Sequence, residues 1–568
     1  MAPAARRTAR APAKLSADEV TQVALTNGNG NGTAAKRGRA KQIEATKVEK
    51  LNGTAAKAVK PEVASRTSRP KKSATPPAAP KPTQKRKKSE EVEDAPEPKP
   101  KKTKVIKDVK PKDNTPQPKG PRRPAGRKTE INAIRYTEPL KVFVFGEGGN
   151  GELGLGASKK SKDVKRPRFN ERLSNMDVVK VAAGGMHVVA LTKDNKIVTW
   201  GVNDNGALGR ETPIATVAMK DADADSDSDD DDETGGLNDV EATPTAISAE
   251  HFPPDTIFVD VAAGDSCSFA LTTEGAVYGW GTFRKNEGVL GFTRGINTAR
   301  TPIYIEDVKK VTYIACGTNH VMALDVNKHV FAWGNGQQNQ LGRRVTERSL
   351  IEALLPNRVG FHDKSFKRPS QKIVKISCGD YHSLAIGEDG HVWAWGANNY
   401  CETAIPANAG EDSASILAPQ IIKSLENLQV VSVEGGSHHN VAITAKGECL
   451  AWGRCDGHQT GIPMSELSAI DDDSKVLKSN DKPKILVTPT TVPNLDNIVT
   501  VACGPEHTIA INKEGKAFSW GFSTNYQTGQ GTFDDIEVPT LIDNTAVREI
   551  KLTMAGAGGQ YSVLGSKK

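Results

Sequence analysis

The stretch Val181-Ala182-Ala183-Gly184-Gly185-Met186-His187-Val188-Val189-Ala190-Leu191-Thr192 runs on to Trp200-Gly201, and sixteen residues separate Gly184 from Trp200. The same interval separates Gly264 from Trp280, Gly317 from Trp333, Gly379 from Trp395, Gly436 from Trp452 and Gly504 from Trp520. Equivalent glycines recur at gaps of 80, 53, 62, 57 and 68 residues from Gly184 to Gly504. Self-similarity on that scale marks a repeat architecture, with the excess over the shortest gap read as insertion.

Each copy reads as short strands. In one of them an alternating stretch ends at Ile376-Ser377-Cys378, a second runs over residues 383–386 and a third over 391–395. Asp389-Gly390, Glu274-Gly275 and Glu514-Gly515 predict a two-residue hairpin turn between the second and third. A Trp-Gly pair and a Gly-rich return follow. One small antiparallel sheet cannot bury both its faces, whereas radial stacking hides them and leaves only short edges. The fold class expected is therefore all-β, a seven-bladed β-propeller. Its first repeat begins late, at Val142-Phe143-Val144-Phe145-Gly146, with Phe145 in the Trp position. The missing early strands lie at 555–564, so the chain ends are expected to pair in a split first blade.

Outside the repeats the chain changes character. Residues 1–128 hold 33 Lys+Arg against 12 Asp+Glu, a net of +21, while the remainder carries −13. All 29 aromatic residues lie at or after Tyr136, so the first segment has nothing large to bury against its chain entropy. We therefore expect a disordered basic tail over 1–130 and a propeller over 138–566, with an acidic disordered insertion at about 214–245. Residues 221–233 place nine acidic side chains in thirteen positions and carry Ser226 and Ser228 in a context suited to acidophilic kinases. Lys85, Arg86, Lys87 and Lys88, followed by Lys101, Lys102 and Lys104, have the form of a bipartite nuclear import signal that importin-type carriers would read. The same charge suits counterion-releasing, sequence-independent contact with DNA. No run approaches 18 apolar residues and the N-terminus lacks a signal-peptide core, so a membrane span and secretion are disfavoured. Seven cysteines without a CxxC argue for reduced thiols rather than a zinc ribbon.

The recurring Val-Ala-x-Gly-x-x-His-x-x-Ala-Leu-Thr, followed by Trp-Gly and a Gly-x-Leu-Gly return, resembles the repeat of the regulator of chromosome condensation family over about residues 140–565. In the third repeat the return reads Thr-Phe-Arg-Lys-Asn-Glu-Gly-Val-Leu-Gly, so that Gly291 follows Trp280 by eleven residues where other repeats use nine. The added segment resembles the β-wedge of the family's founding exchange factor. The resemblance implies guanine nucleotide exchange on the small GTPase Ran, a nuclear, chromatin-bound location and no covalent chemistry. It implies Ran contacts at Asp265, Phe283, Arg284, Lys285, Asn286, Asn319, Tyr381, His438 and Tyr561. An Arg-rich insertion with Arg343, Arg344 and Arg348 resembles the family's loop for histones H2A and H2B and nucleosomal DNA. The family is acidic where this chain has Gly149 and Asn319, and has His where Tyr561 stands. No cofactor, metal or membrane is implied, and a monomer is expected. The recurrent His187, His320, His382, His439 and His507 are expected to bond within each blade and hold its turn. A propeller scaffold for chromatin or ubiquitin-pathway partners, and a channel-site enzyme, are the competing readings. No nucleophile–base set supports the latter.

Overall fold

The computed structural model describes residues 129–213, 236–364 and 371–568. The import cluster, the acidic run 221–233 and the basic tail up to residue 128 lie outside these residues. Seven antiparallel sheets form the propeller, and a separate two-stranded hairpin stands apart from them. We number the blades from the one containing Phe145. Blade 5 is typical, with strands Ile373–Cys378, His382–Gly387, Val392–Ala397 and Ser415–Ile421 in that order. The fourth strand of each blade, fed by the Gly-rich return, was not anticipated from the repeat. Blade 6 adds a fifth, Val476–Ser479, outside Lys482–Thr491. In blade 1, Leu140–Glu147 pairs on one side with Asp163–Asn170 and on the other with Tyr561–Lys567, Phe145 facing Ser562.

The turn between the second and third strands is not the expected two-residue type. Thr272 N–H bonds Ala276 O while Gly275 N–H returns to Thr272 O, with Gly275 at φ +73°. This is a three-residue loop whose last residue is left-handed, the arrangement that creates a glycine bulge. Asn195 and Lys328 take the same conformation in blades 2 and 4.

The histidines likewise act differently from expectation. Each reaches across to the next blade. His187 Nε2 lies 2.7 Å from Ser268 Oγ, His320 2.9 Å from Ser383 Oγ, His382 2.6 Å from Asn440 Oδ1, His439 2.9 Å from Thr508 Oγ1 and His507 2.9 Å from Ser562 Oγ. Ser383 Oγ in turn donates to Gln340 O at 2.9 Å, and Trp395 Nε1 donates to that same carbonyl at 2.8 Å. Ala207 O and Glu402 O serve blades 3 and 6 in the same way. The sixteen-residue interval follows from this register. Ser383 and Trp395 are direct cross-strand partners, so their side chains rise on one side and converge on one oxygen of the preceding blade. The motif glycine is a matter of space, since a Cβ at Gly317 would stand 2.4 Å from His320 Cε1.

Six of the seven seams carry such a polar tie, because Tyr561 closes the ring by donating to Gly184 O at 3.0 Å and His187 O at 2.8 Å. The seam between blades 3 and 4 differs. Cys267 and Val321 replace the histidine and its partner, and the gap is filled by Phe269, Phe283, Phe292 and Trp333, with neighbouring centroids 5.7–6.3 Å apart.

The propeller body also starts earlier than residue 138. Ile131 and Asn132 N–H both bond Thr273 O, and the buried Asn132 amide donates to Thr272 O and Val311 O. Arg135 lies 3.6 Å from Asp260, and the Lys180 ammonium sits 5.0 Å from the Tyr136 ring. Part of the expected insertion is built too, since Asn238 caps the helix Asp239–Ala242 and Thr245–Ala246 is the outer strand of blade 2.

Because the serines donate onward and Asn440 Oδ1 only accepts, the tied imidazoles are the neutral Nε2–H tautomer. Burial lowers His187 to about 4 and His320, His439 and His507 to about 3. Between pH 6.5 and pH 4 the unfolded chain therefore binds protons that the folded one refuses. Stability should fall with pH there, by up to about 1.4 kcal/mol per pH unit for each such histidine. Thermal melts should be level between about pH 7 and 8 and drop steadily below 6.5. A melting temperature unchanged down to pH 5 would contradict the assignment.

Candidate functional site

The Gly-x-x-His loops and the returns after Trp-Gly share one face. Their backbones are locked together: the residue after each Trp-Gly donates its N–H to the carbonyl just before the histidine, as Asn335 does to Asn319 O at 2.7 Å, Arg454 to His438 O at 2.8 Å and Phe522 to Glu506 O at 2.9 Å. Side chains at these positions are free to differ from blade to blade, which suits recognition on a fixed frame.

Above the apolar seam rises the two-stranded hairpin, Phe283–Lys285 against Gly288–Gly291. Phe283 was expected among the residues that contact the partner. It is instead wholly buried at the root, stacked on Phe292 at 5.7 Å, and its loss to Ala should cost about 3–5 kcal/mol. The tip belongs to Lys285, Asn286 and Glu287, with Lys285 Nζ 3.2 Å from Glu287, which lowers that carboxyl. Three side chains of blade 4 clamp the hairpin. Asn319 Oδ1 accepts the Arg284 N–H at 2.7 Å, Asn335 Nδ2 donates to Arg284 O at 3.1 Å, and Gln337 Oε1 accepts the Asn286 N–H at 3.4 Å. Asn319 thus supports the hairpin rather than standing free, and an amide oxygen meets that N–H as a carboxylate would.

Between hairpin and loops lies a cleft lined by Asp265, Arg284, Lys285, Asn319, Asp380 and Tyr381. Burial, then Asp380 and Asp265, raise the Tyr381 phenol. In blades 5 and 6 the Tyr381 ring stacks 5.7 Å from His438, whose other neighbour is Tyr400 at 4.6 Å. His438 Nδ1 is 2.7 Å from Oε1 of the fully buried Glu402, whose Oε2 accepts the Tyr400 N–H. Arg454 and Lys484 lie over the Tyr400 ring, and Arg454 pairs with Glu506 at 3.1 Å. At Gly149, where an acid was noted as missing, a Cβ would stand 3.3 Å from Glu147 Oε1, so blade 1 brings a carboxylate to the spot from two residues away.

Two further expectations change. Tyr561 is buried in the seam between blades 1 and 2, its hydroxyl spent on two carbonyls, and offers no surface. Arg343 is drawn inward, donating to Ala332 O at 2.8 Å, and burial pulls its guanidinium down to about 10. Arg210, also directly after a return glycine, is held likewise by Thr199 O and Val240 O, a parallel visible in the repeat. Arg344 and Arg348 are exposed. Asp380 was missed although Gly379-Asp380 matches Gly264-Asp265 in register. Glu402, Asn335 and Gln337 carried no signal separating them from other return-loop residues.

Residues 141–564 match the RCC1-like domain. The chain belongs to that family. Among RCC1-like relatives, Protein pim1 of Schizosaccharomyces pombe is 38% identical over 78% of this chain and 78% of its own length. The guanine nucleotide exchange factor SRM1 of Saccharomyces cerevisiae is 38% identical over 76% of this chain and 88% of its own. The crystal structure of Prp20p from Saccharomyces cerevisiae, described with its binding properties to Gsp1p and histones, superposes with a TM-score of 0.67 at 35% identity, covering 77% of this chain and 95% of that one. Yeast RCC1 (Prp20) bound by Kap60 gives the same TM-score at 34% identity, over 80% and 96%.

Substitution separates the clamp from its surroundings. Asn319→Ala should raise hydrogen exchange at the Arg284 amide at least tenfold, whereas Asn319→Asp, which keeps the acceptor, should leave it protected. Equal exchange in both variants would remove the clamp.

Proposed function

We infer that this chain is a guanine nucleotide exchange factor for the small GTPase Ran, bound to chromatin in the nucleus. The observation that carries the reading is the braced hairpin, with two cations near its end, on a face whose loops are otherwise locked. It is supported by the relationship to SRM1 and to Prp20p, the latter described with Gsp1p and histones.

No bond needs to be made or broken. The face binds the GTPase in a form incompatible with tight nucleotide, so that exchange factor and nucleotide each weaken the other's hold. A ligand held at picomolar affinity corresponds to ~16 kcal/mol, which contacts in the nucleotide-free complex must offset. A face already fixed by backbone hydrogen bonds loses little to ordering when it binds. In this reading Arg284, Lys285 and Asn286 press beside the phosphate-binding loop and disturb the GTPase's metal, while Asp265, Asp380, Tyr381 and His438 hold its body.

Chromatin attachment falls to other parts. Exposed Arg344 and Arg348 would match clustered carboxylates of histones H2A and H2B. The basic tail would supply salt-dependent contact with DNA and, through Lys85 to Lys88 and Lys101 to Lys104, import by a carrier. The bound Kap60 in the related yeast structure supports that last step.

With catalytic amounts of the protein, labelled GDP should leave Ran at least a hundredfold faster than alone. Replacing residues 284–287 by a two-residue turn should abolish this with the melting temperature kept, since Phe283 stays in the core. Unchanged release with wild-type protein at saturation would reject the function, and full activity in the shortened variant would reject the wedge.

The arginines separate by environment. Arg344→Ala with Arg348→Ala should weaken mononucleosome binding several-fold in gel shift without altering stability, whereas Arg343→Ala should lower the melting temperature. Undiminished nucleosome affinity in the double variant would release the loop from this role.

A further inference from the structure

Among the described Phe, Tyr and Trp residues, three stand exposed: Phe169, Phe522 and Phe533. Two of them lie on one loop, 522–535, which follows Trp520-Gly521 in blade 7 and therefore opens on the Gly-x-x-His face. Phe533 is 60% exposed and Phe522 38%. An apolar ring left in water forgoes the burial that elsewhere drives this fold, so two on one loop of an otherwise well-packed face call for a use.

The loop that presents them is stiff. Ser523 N–H bonds Asp535 Oδ1 at 3.0 Å, and Ser523 Oγ lies 2.5 Å from Thr528 Oγ1 and donates to Thr532 O at 3.1 Å. The buried Tyr526 ring backs Phe533 at 4.3 Å, and the Lys165 ammonium from blade 1 stands 4.9 Å from Tyr526 and 5.7 Å from Phe533. Phe522 is tied by its N–H to Glu506 O, the position that in blades 4, 5 and 6 holds Asn319, Tyr381 and His438. The platform is thus continuous with the proposed exchange face. Rigid aromatics with their rotamers already restrained have the character of binding anchors.

Its place in the ring says what for. In a seven-bladed ring, blade 7 lies directly across the channel from the seam of blades 3 and 4, where the hairpin rises. We propose that Phe522, Phe533 and Lys165 form a second anchor for the same GTPase, taking an apolar side chain flanked by a carboxylate, so that the partner is held at one rim while the hairpin presses at the other. The inference rests on the exchange reading and adds to it a contact far from the wedge.

Because this anchor holds the partner before and during exchange, its loss should appear as weaker binding at unchanged turnover. The double variant Phe522→Ala, Phe533→Ala should raise KM for Ran·GDP about tenfold or more, leave kcat within about twofold, and keep the wild-type melting temperature because both rings are exposed. Lys165→Glu should raise KM in the same direction. In the same assay the wild-type protein reports on the exchange reading itself: absent stimulation removes both. With stimulation present, KM within twofold of wild type in the double variant overturns the anchor alone. Loss of mononucleosome affinity with KM untouched also overturns it and assigns the platform to chromatin.

Discussion

The molecule depends on one hydrogen-bond relay repeated around a ring. At the seams leading into blades 3, 5 and 6 a backbone carbonyl in the return of one blade receives two donors from the next, an indole N–H and a side chain that itself accepts from a histidine of the preceding blade, and the other polar seams keep part of this arrangement. Buried donors and acceptors demand partners, so the relay couples neighbouring sheets more specifically than apolar contact would. The conspicuous features of the repeat follow from it. The glycine makes room for the imidazole, the small polar residue after the histidine passes the bond on, and the tryptophan stands opposite that residue in the hairpin register. The histidine and tryptophan side chains lie buried in the seams, and it is the residues between the glycine and the histidine that vary.

Where the relay is interrupted, the face acquires the hairpin. Cys267 and Val321 cannot bond across the seam of blades 3 and 4, and an aromatic stack replaces the polar tie. The longer return of blade 3 uses that stack as its foundation through Phe283. A hairpin of only a few residues is marginal in isolation. Here it is held at its base by apolar packing and along its side by three polar side chains of blade 4, so it stands on both blades flanking the altered seam.

Much of this was legible in advance because spacing is conserved by geometry within a single chain. The sixteen-residue interval reported the hairpin register, and the eleven-residue return after Trp280 reported the projection. Depth was not legible. Counting residues from Trp280 shows that Phe283 belongs to the longer return but not that it points down, since a phenylalanine beside two cations reads equally well as a tip or a root. Tyr561 and Arg343 misled for a related reason: each was compared with residues of another family member's surface, whereas its own repeat equivalents, the seam histidines and Arg210, are structural. Asp380 carried no resemblance of its own: it stands at the first variable position of its Gly-x-x-His loop, as Asp265 does, whereas Asn319, Tyr381 and His438 stand at the second.

The substitution at Asn319 shows how charge and geometry separate on such a face. A carboxylate there would accept the Arg284 N–H and also attract the hairpin's cations, whereas the amide performs the first task alone. With Asn319 neutral, the cleft keeps its negative charge in Asp265 and Asp380, on the floor rather than in the clamp. Cations at the hairpin end are then drawn less firmly back onto their own support, at some cost in how tightly the hairpin is tethered. The buried root compensates for that cost, because Phe283 holds the strand whether or not the clamp is charged. In the same way, Glu147 puts a carboxylate beside Gly149, so the face keeps charge near that point while moving the residue that bears it. What such a surface must preserve is the position of its backbone, and the side chains can exchange charge among themselves so long as the seams stay closed.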